Sequence, residues 1–294
     1  MMAPMSYVRR AVREIPLRRY LKAWRMTRAL RSALREVSRF PKHSDAPRHQ
    51  LPSRLIVSLT SYPARFKTLG LTIRSLLDQT VKPDLIVLWV DHAAMASLPQ
   101  SVTELEGPAF SVRPTDDLRS FTKIIPALIA YLDSFIAVAD DDIHYPENWL
   151  KGLVDAYDPD HPTIVYHRGH RLTYLPDGSL APYRSWRRNV RDKASLLPAT
   201  NIMPTGVGGV LYPPGSLPPQ TTDVPLFRQL SETCDDSWLY FMWRQTDWTA
   251  KRTPSAKPKL VIWPHTQEQS LRAFHRGGMK DEHLRALSSH FGTP

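Results

Sequence analysis

The 294-residue chain contains a single cysteine, Cys234. No internal disulfide can form, which excludes a disulfide-stapled secreted framework and a cysteine zinc cage and suits a reducing cytoplasm. Glycine is scarce, at 12, while proline reaches 27, so many connections are stiffened. No run approaches the roughly 20 apolar residues needed to span a bilayer. The uninterrupted apolar segment of a secretory signal is also missing, because residues 1–42 never go far without Arg or Lys. Acidic residues are sparse at the start: residues 1–50 hold thirteen Lys/Arg against three Asp/Glu. The formal charge of +11 therefore lies almost wholly in this leader, and the rest of the chain carries about +1. That distribution excludes a uniformly basic nucleic-acid binder, and no specific nucleic-acid partner is expected.

What the leader does have is a pattern. Tyr20, Trp24, Met26, Leu30, Leu34 and Val37 recur at nearly helical spacing among Arg18, Arg19, Lys22, Arg25, Arg28, Arg31 and Arg35. This predicts a basic amphipathic helix with a break at Pro16. Three readings remain open. Residues 1–42 could lie on an anionic membrane surface, each nearby cation contributing about 1 kcal/mol. They could form a solvated or partner-packed extension. They could be an organellar transit peptide, which the scarcity of Ser disfavours. Residues 40–53 are polar and Pro-rich and read as a linker. The expected organisation is a helical extension and linker over 1–50 and one enzyme-like domain over 51–294.

The body opens with an apolar burst at 55–59, and Pro63 suits the first turn of a helix continued by Leu69, Leu71, Ile73, Leu76 and Leu77. Further strands are expected at 85–90, 110–113, 135–139 and 163–166, with helices at 123–132 and 147–157 between them. Continuous apolar strands alternating with helices predict an α/β fold, its sheet mostly parallel and buried on both faces. Beyond residue 168 the pattern is irregular: a hairpin at Pro176-Asp177-Gly178, a Gly-rich turn at Thr205–Gly209 before an apolar 210–212, a helix at 235–244, and a short helical segment at 281–290.

In a parallel sheet, ligands bind outside the carboxyl ends of the strands. Asp91 and the run Asp140-Asp141-Asp142 fall at such ends. Three adjacent carboxylates there repel one another unless a cation or donors compensate. Hard oxygen ligands match Mn²⁺ or Mg²⁺, and the alternative is an acidic turn capping the next helix. Asp235-Asp236 opens a predicted helix, either as a cap or as a general base. Lys123, after Asp116-Asp117, sits where a helix N-terminus and an ammonium could meet a diphosphate. His265 and His275 are further candidates for the metal shell. His161, His167 and His170 read as surface or core residues.

Together these segments resemble family-2-like glycosyltransferases of the GT-A fold, of the bacterial surface-polysaccharide type. The resemblance rests on IVSLTSYPARFKTLGLTIRSLLDQTVKPDLIVLWV (56–90), DLRSFTKIIPAL (117–128), ADDDIHYPENWL (139–150), PTGVGGVLYPP (204–214) and CDDSWLYFMW (234–243). It implies a nucleotide-sugar donor held by Thr60, Ser61, Arg65, Asp91, Asp117, Lys123, Asp140 and Asp141. It implies a divalent ion at the DXD position, with Asp142 the first choice of ligand and Asp140 the second. It assigns Asp235 and Asp236 to the catalytic motif, Asp236 being the base of an inverting transfer to a glycan or lipid-linked acceptor. The expected setting is the cytoplasm, peripherally on the inner face of the plasma membrane. The chain departs from the family's usual pattern in carrying Asp235 where Glu is common. Two other readings compete: a nucleotidyltransferase of similar fold, whose Gly/Lys-rich triphosphate loop the 60–65 turn lacks, and a non-catalytic tethered binding module.

Overall fold

The computed structural model describes residues 17–255, 258–266 and 278–294. In chain order these form α1 (Leu17–Val37), β1 (Leu55–Thr60), α2 (Phe66–Leu77), β2 (Leu85–Asp91), α3 (Gln100–Thr103), β3 (Phe110–Thr115), α4 (Ile125–Ala130), β4 (Phe135–Val138), β5 (Ile143–His144), α5 (Trp149–Val154), β6 (Ile164–Tyr166), β7 (Gly169–Arg171), β8 (Ile202–Pro204), β9 (Val210–Tyr212), α6 (Val224–Ser231), α7 (Asp235–Trp243), β10 (Ala250–Arg252), β11 (Val261–Ile262) and α8 (Met279–Phe291).

Seven strands make the central sheet, in the order β10-β6-β9-β4-β1-β2-β3. All its pairings are parallel except those of β9, which runs antiparallel to both β4 and β6. The α/β class and the mostly parallel, helix-flanked sheet match the expectation. Alternation along β1 shows why both faces are apolar: Leu55, Val57 and Leu59 pack toward α2 and α5, while Ile56 joins Ile136 and Val138 toward α4, α6 and α7. Burying a side chain of this size contributes roughly 1.5–3 kcal/mol, so these runs fix the sheet, and with it the place where the strands end.

Several elements differ from the sequence reading. Lys123 does not begin an α-helix. It ends a 3₁₀ turn, Arg119–Lys123, ahead of α4. The expected helix at 147–157 is shorter, Trp149–Val154, and α6 is an element that the sequence pattern does not predict. Asp223 caps α6 by accepting from the Leu226 N–H (3.0 Å), with proline in its first turn. The Pro176–Gly178 hairpin is present, Gly178 standing at φ 83.

The leader lies against the body. Leu30, Ala33 and Val37 pack on Trp263, Leu71 and Val261. The Pro-rich stretch after it is pinned by polar contacts. Asp78 accepts the N–H groups of Lys42 and His43 (2.9 and 2.7 Å), Glu147 pairs with both side chains, and Asp84 receives His49 Nε2 (2.7 Å).

Candidate active site

β1 and β4 run side by side, so their carboxyl ends share one edge. The Ala139 N–H still donates to the Ser58 carbonyl (3.0 Å). Beyond it the three aspartates leave the sheet on a backbone held at every residue. Asp140 N–H donates to Tyr145 Oη (2.7 Å). Thr72 Oγ1 donates to the Asp141 carbonyl (2.8 Å), and Trp263 N–H donates to that of Asp142 (2.9 Å). The Trp263 indole N–H in turn donates to Thr72 Oγ1 (2.9 Å), locking two of these supports together.

The side chains divide between two cations. Asp141 accepts from Ser61 Oγ and Arg65 Nη1, both at 2.6 Å. The same Nη1 lies 3.1 Å from Asp142. Asp140 faces Lys123 Nζ at 3.2 Å, and that ammonium reaches on to Asp235 at 2.9 Å. Lys123 therefore joins the strand-end aspartates to the first turn of α7. Its own backbone is positioned from beneath: Ser58 Oγ donates to the Lys123 carbonyl (2.6 Å) and receives the Trp89 indole N–H (3.0 Å).

Asp235 and Asp236 do not cap α7; that place belongs to Cys234. Asp236 Oδ1 instead accepts the Gly206 N–H (2.8 Å). The Gly-rich turn permits this approach. A Cβ on Gly206 would stand 2.8 Å from Lys123 Nζ, and one on Gly209, at φ +100, would lie 2.6 Å from the Trp149 ring. Trp149 Nε1 holds the turn by donating to the Gly208 carbonyl (2.5 Å). Asp235 is buried, whereas Asp236 is partly open to solvent.

The charges do not balance. Burial would lower the Lys123 pKa, but Asp140, Asp235 and Asp236 together raise it well above the ordinary value. Burial pushes the Asp235 carboxyl up against the pull of Lys123, with Asp236 adding to the rise. Asp142 is pushed up to about 7 by burial and then by Asp140, which outweigh Arg65. Lys280 of α8, half-buried with its ammonium over the Tyr183 ring (4.2 Å), adds a third cation within electrostatic reach of Asp236. Were all five carboxylates ionised, the three cationic side chains would leave two negative charges in excess, and the raised Asp142 and Asp235 show that protons offset part of it.

Hard oxygen donors carrying that residual charge fit a divalent ion such as Mn²⁺ or Mg²⁺, which takes one or two carboxylates and completes its shell with water and substrate phosphate. Among the described residues no three His, Cys, Asp or Glu side chains converge as a ready-made metal cage. His265 is exposed at φ 64, two residues beyond Trp263, and His275 lies outside the described residues. His167 and His170 are buried and hydrogen-bonded, and His161 is exposed.

Beside the aspartates opens a pocket of about 320 Å³ lined by Thr60, Ser61, Tyr62, Asp91, Asp117 and Thr122, among others. The sheet thus gathers four of the expected donor-side residues around one space. Asp91 accepts from the Ala93 N–H (2.9 Å) and Asp117 from the Arg119 N–H (2.7 Å). Arg65 and Lys123 instead have their charges engaged by the aspartates. Sequence reasoning missed Ser58, Thr72, Tyr145, Trp263 and Lys280. These act through backbone or long-range contacts that leave no local motif.

No protein-family model matches the chain, and no curated protein matches it. Solved structures overlap it in part. A mannosyltransferase from Pyrobaculum calidifontis, in complex with GDP-Man and Mn²⁺, overlaps 92% of this chain and 70% of its own at a TM-score of 0.49 and 13% identity. GalNAc-T7 with UDP, GalNAc and Mn²⁺ overlaps 80% of this chain and 47% of its own, at 0.47 and 13%. An inositol-1-phosphate CTP transferase from T. maritima overlaps 83% of this chain and 99% of its own, at 0.40 and 11%. Identity this low leaves the reaction to be argued from the site itself.

Proposed function

We propose that the protein is a metal-dependent glycosyltransferase that moves a sugar, with inversion, from a nucleoside-diphosphate donor to a glycan or lipid-linked acceptor. One observation carries the reading. Two acidic motifs far apart in sequence meet across a single ammonium, with Lys123 within 3.2 Å of Asp140 and 2.9 Å of Asp235, beside a pocket at the strand ends. The GT-A resemblance of the sequence supports the same assignment, and the buried, free Cys234 suits a cytoplasmic setting.

In this reading the nucleoside occupies the pocket of Thr60, Ser61, Asp91 and Asp117, with its diphosphate directed toward Asp140–Asp142. A divalent ion held by Asp142 and Asp140 would neutralise the diphosphate and its departing charge. Ser61 and Arg65 fix Asp141, and so the shape of the loop. The acceptor oxygen forms the new bond to the anomeric carbon as the bond from that carbon to the diphosphate oxygen breaks on the opposite side. Asp236 takes the acceptor's hydroxyl proton. Its Oδ1 is oriented by the Gly206 N–H, and it is the more open of the two α7 carboxylates. Asp235, buried on Lys123, keeps that lysine and the helix start in place.

Calorimetry with a series of nucleoside diphosphates, with and without Mn²⁺, tests the donor site. Metal-enhanced binding that disappears in Asp142→Ala is expected. Binding indifferent to that substitution sinks the assignment. Release of pyrophosphate from a nucleoside triphosphate would point to a nucleotidyltransferase instead.

A further inference from the structure

α1 carries two stripes on opposite sides. Leu30, Ala33 and Val37, at spacings of three and four, face the body; Ala33 and Val37 are 1% and 4% exposed. At 100° per residue, the helix turns positions 21, 24, 28, 31 and 35 to the far side. These are Leu21, Trp24, Arg28, Arg31 and Arg35, all exposed, with Leu21 at 41% and Trp24 at 52%. The Arg28 guanidinium lies over the Trp24 ring at 5.6 Å. Arg25 flanks the stripe. Among the described residues, none of these four arginines has a carboxylate partner.

Neither half of this stripe is explained by folding. An exposed Trp and Leu followed by a row of unpaired arginines is the side-chain set that suits a membrane interface. There the indole sits at headgroup level and the guanidinium groups meet lipid phosphates. No helix among the described residues is long and apolar enough to cross a membrane, so such a helix would lie along the surface. The packing makes α1 part of the body from Leu30 onward, and the preceding turns, with Leu21, Trp24 and Met26 exposed, project from it. The Trp263 that receives Ala33 and Val37 is the residue whose N–H groups hold Asp142 and Thr72. Glu36 of α1 further reaches His144, two residues past Asp142, at 3.4 Å.

We propose that the outer stripe of α1 docks the protein on an anionic phospholipid surface, holding the aspartate loop at a fixed distance from the bilayer. The docking does not depend on the sugar-transfer reading. Full-length protein is sedimented with vesicles containing phosphatidylglycerol and, separately, with pure phosphatidylcholine vesicles. Binding is expected only to the former, with release at high salt, where the Debye length falls to about 3 Å. Each arginine near such a surface contributes about a fivefold factor. Arg28→Glu/Arg31→Glu/Arg35→Glu should therefore weaken binding roughly a hundredfold or more, with Trp24→Ser weakening it less. All four residues are exposed, so circular dichroism and the melting temperature should not change, and neither should calorimetric nucleotide binding. Equal pelleting with neutral vesicles, undiminished binding of the triple variant, or capture by an RNA homopolymer without vesicle binding would each overturn the proposal.

Discussion

Replacing Lys123 by methionine tests the junction of the two acidic motifs without assuming any reaction. At 2.9 and 3.2 Å from Asp235 and Asp140, a unit charge gains about 5–6 kcal/mol from each carboxylate at an effective dielectric near 20. Much of that is offset by the cost of burying the ammonium. Removing one partner of a buried pair strands the other, which typically costs about 3–5 kcal/mol. In a chain of this size that lowers the melting temperature by roughly 6–15 °C. The informative experiment is a double-mutant cycle read by urea denaturation. Lys123→Met and Asp235→Asn are each expected to destabilise. The double variant should recover about 2–3 kcal/mol of the summed loss, because the more deeply buried of the two stranded carboxylates is gone. Additivity within about 0.5 kcal/mol, or a Lys123→Met protein that melts with the wild type, would refute the bridging role.

Gly209→Ala combines a left-handed backbone with a Cβ 2.6 Å from the Trp149 ring and should cost about 2–4 kcal/mol in denaturant midpoint. Gly178→Ala, also at positive φ but with open space around it, should cost only about 1 kcal/mol. His167 is held neutral: burial, against its bond to the Trp149 carbonyl (2.8 Å), pushes its pKa down to about 4. The unfolded chain takes up that proton near pH 6.5. The stability this group supplies is thus complete above about 6.5 and falls as pH drops toward 4, by about 3 kcal/mol in all. Urea titrations across that window should show the loss, and His167→Gln should flatten it. If Asp236 is the base, Asp236→Asn should lower turnover about 10²–10⁴-fold while leaving donor binding in calorimetry intact; loss of donor binding would assign it a different task.

What was legible in the sequence was whatever the sheet dictates locally. The runs at 55–57, 85–90 and 135–138 are continuously apolar because both faces of the sheet are covered, and their ends place Asp91 and the aspartate run at the sheet's edge. β7, β8, β10 and β11 are two or three residues long, too short for any period to register. The Asp223–Leu226 cap of α6 was present in the sequence but lay hidden in a Pro-rich stretch. The meeting of Lys123 with Asp235 was invisible for a different reason. It depends on antiparallel β9 and the Gly206 approach, which bring distant segments together without leaving a local pattern. Lys123 itself, expected at a helix start facing a diphosphate, ends a 3₁₀ turn with its ammonium shared between carboxylates.

The aspartate run raised an electrostatic question that the structure sharpens. Three carboxylates at a buried strand end need compensation, and the protein supplies part of it through Arg65 and Lys123. Asp142 is nonetheless pushed up to about 7, first by burial and then by Asp140, against the shared Arg65. A divalent ion placed there would replace the proton that this carboxyl otherwise takes up. The shortfall predicts that a divalent ion stabilises the fold even without substrate. Mn²⁺ at a hundred times its dissociation constant should add about 2.7 kcal/mol, a rise in melting temperature of several degrees. Asp142→Ala should abolish that rise. A melting curve indifferent to Mn²⁺ and Mg²⁺, alongside tight nucleoside-diphosphate binding in chelator, would mean that Arg65 and Lys123 do the metal's work themselves.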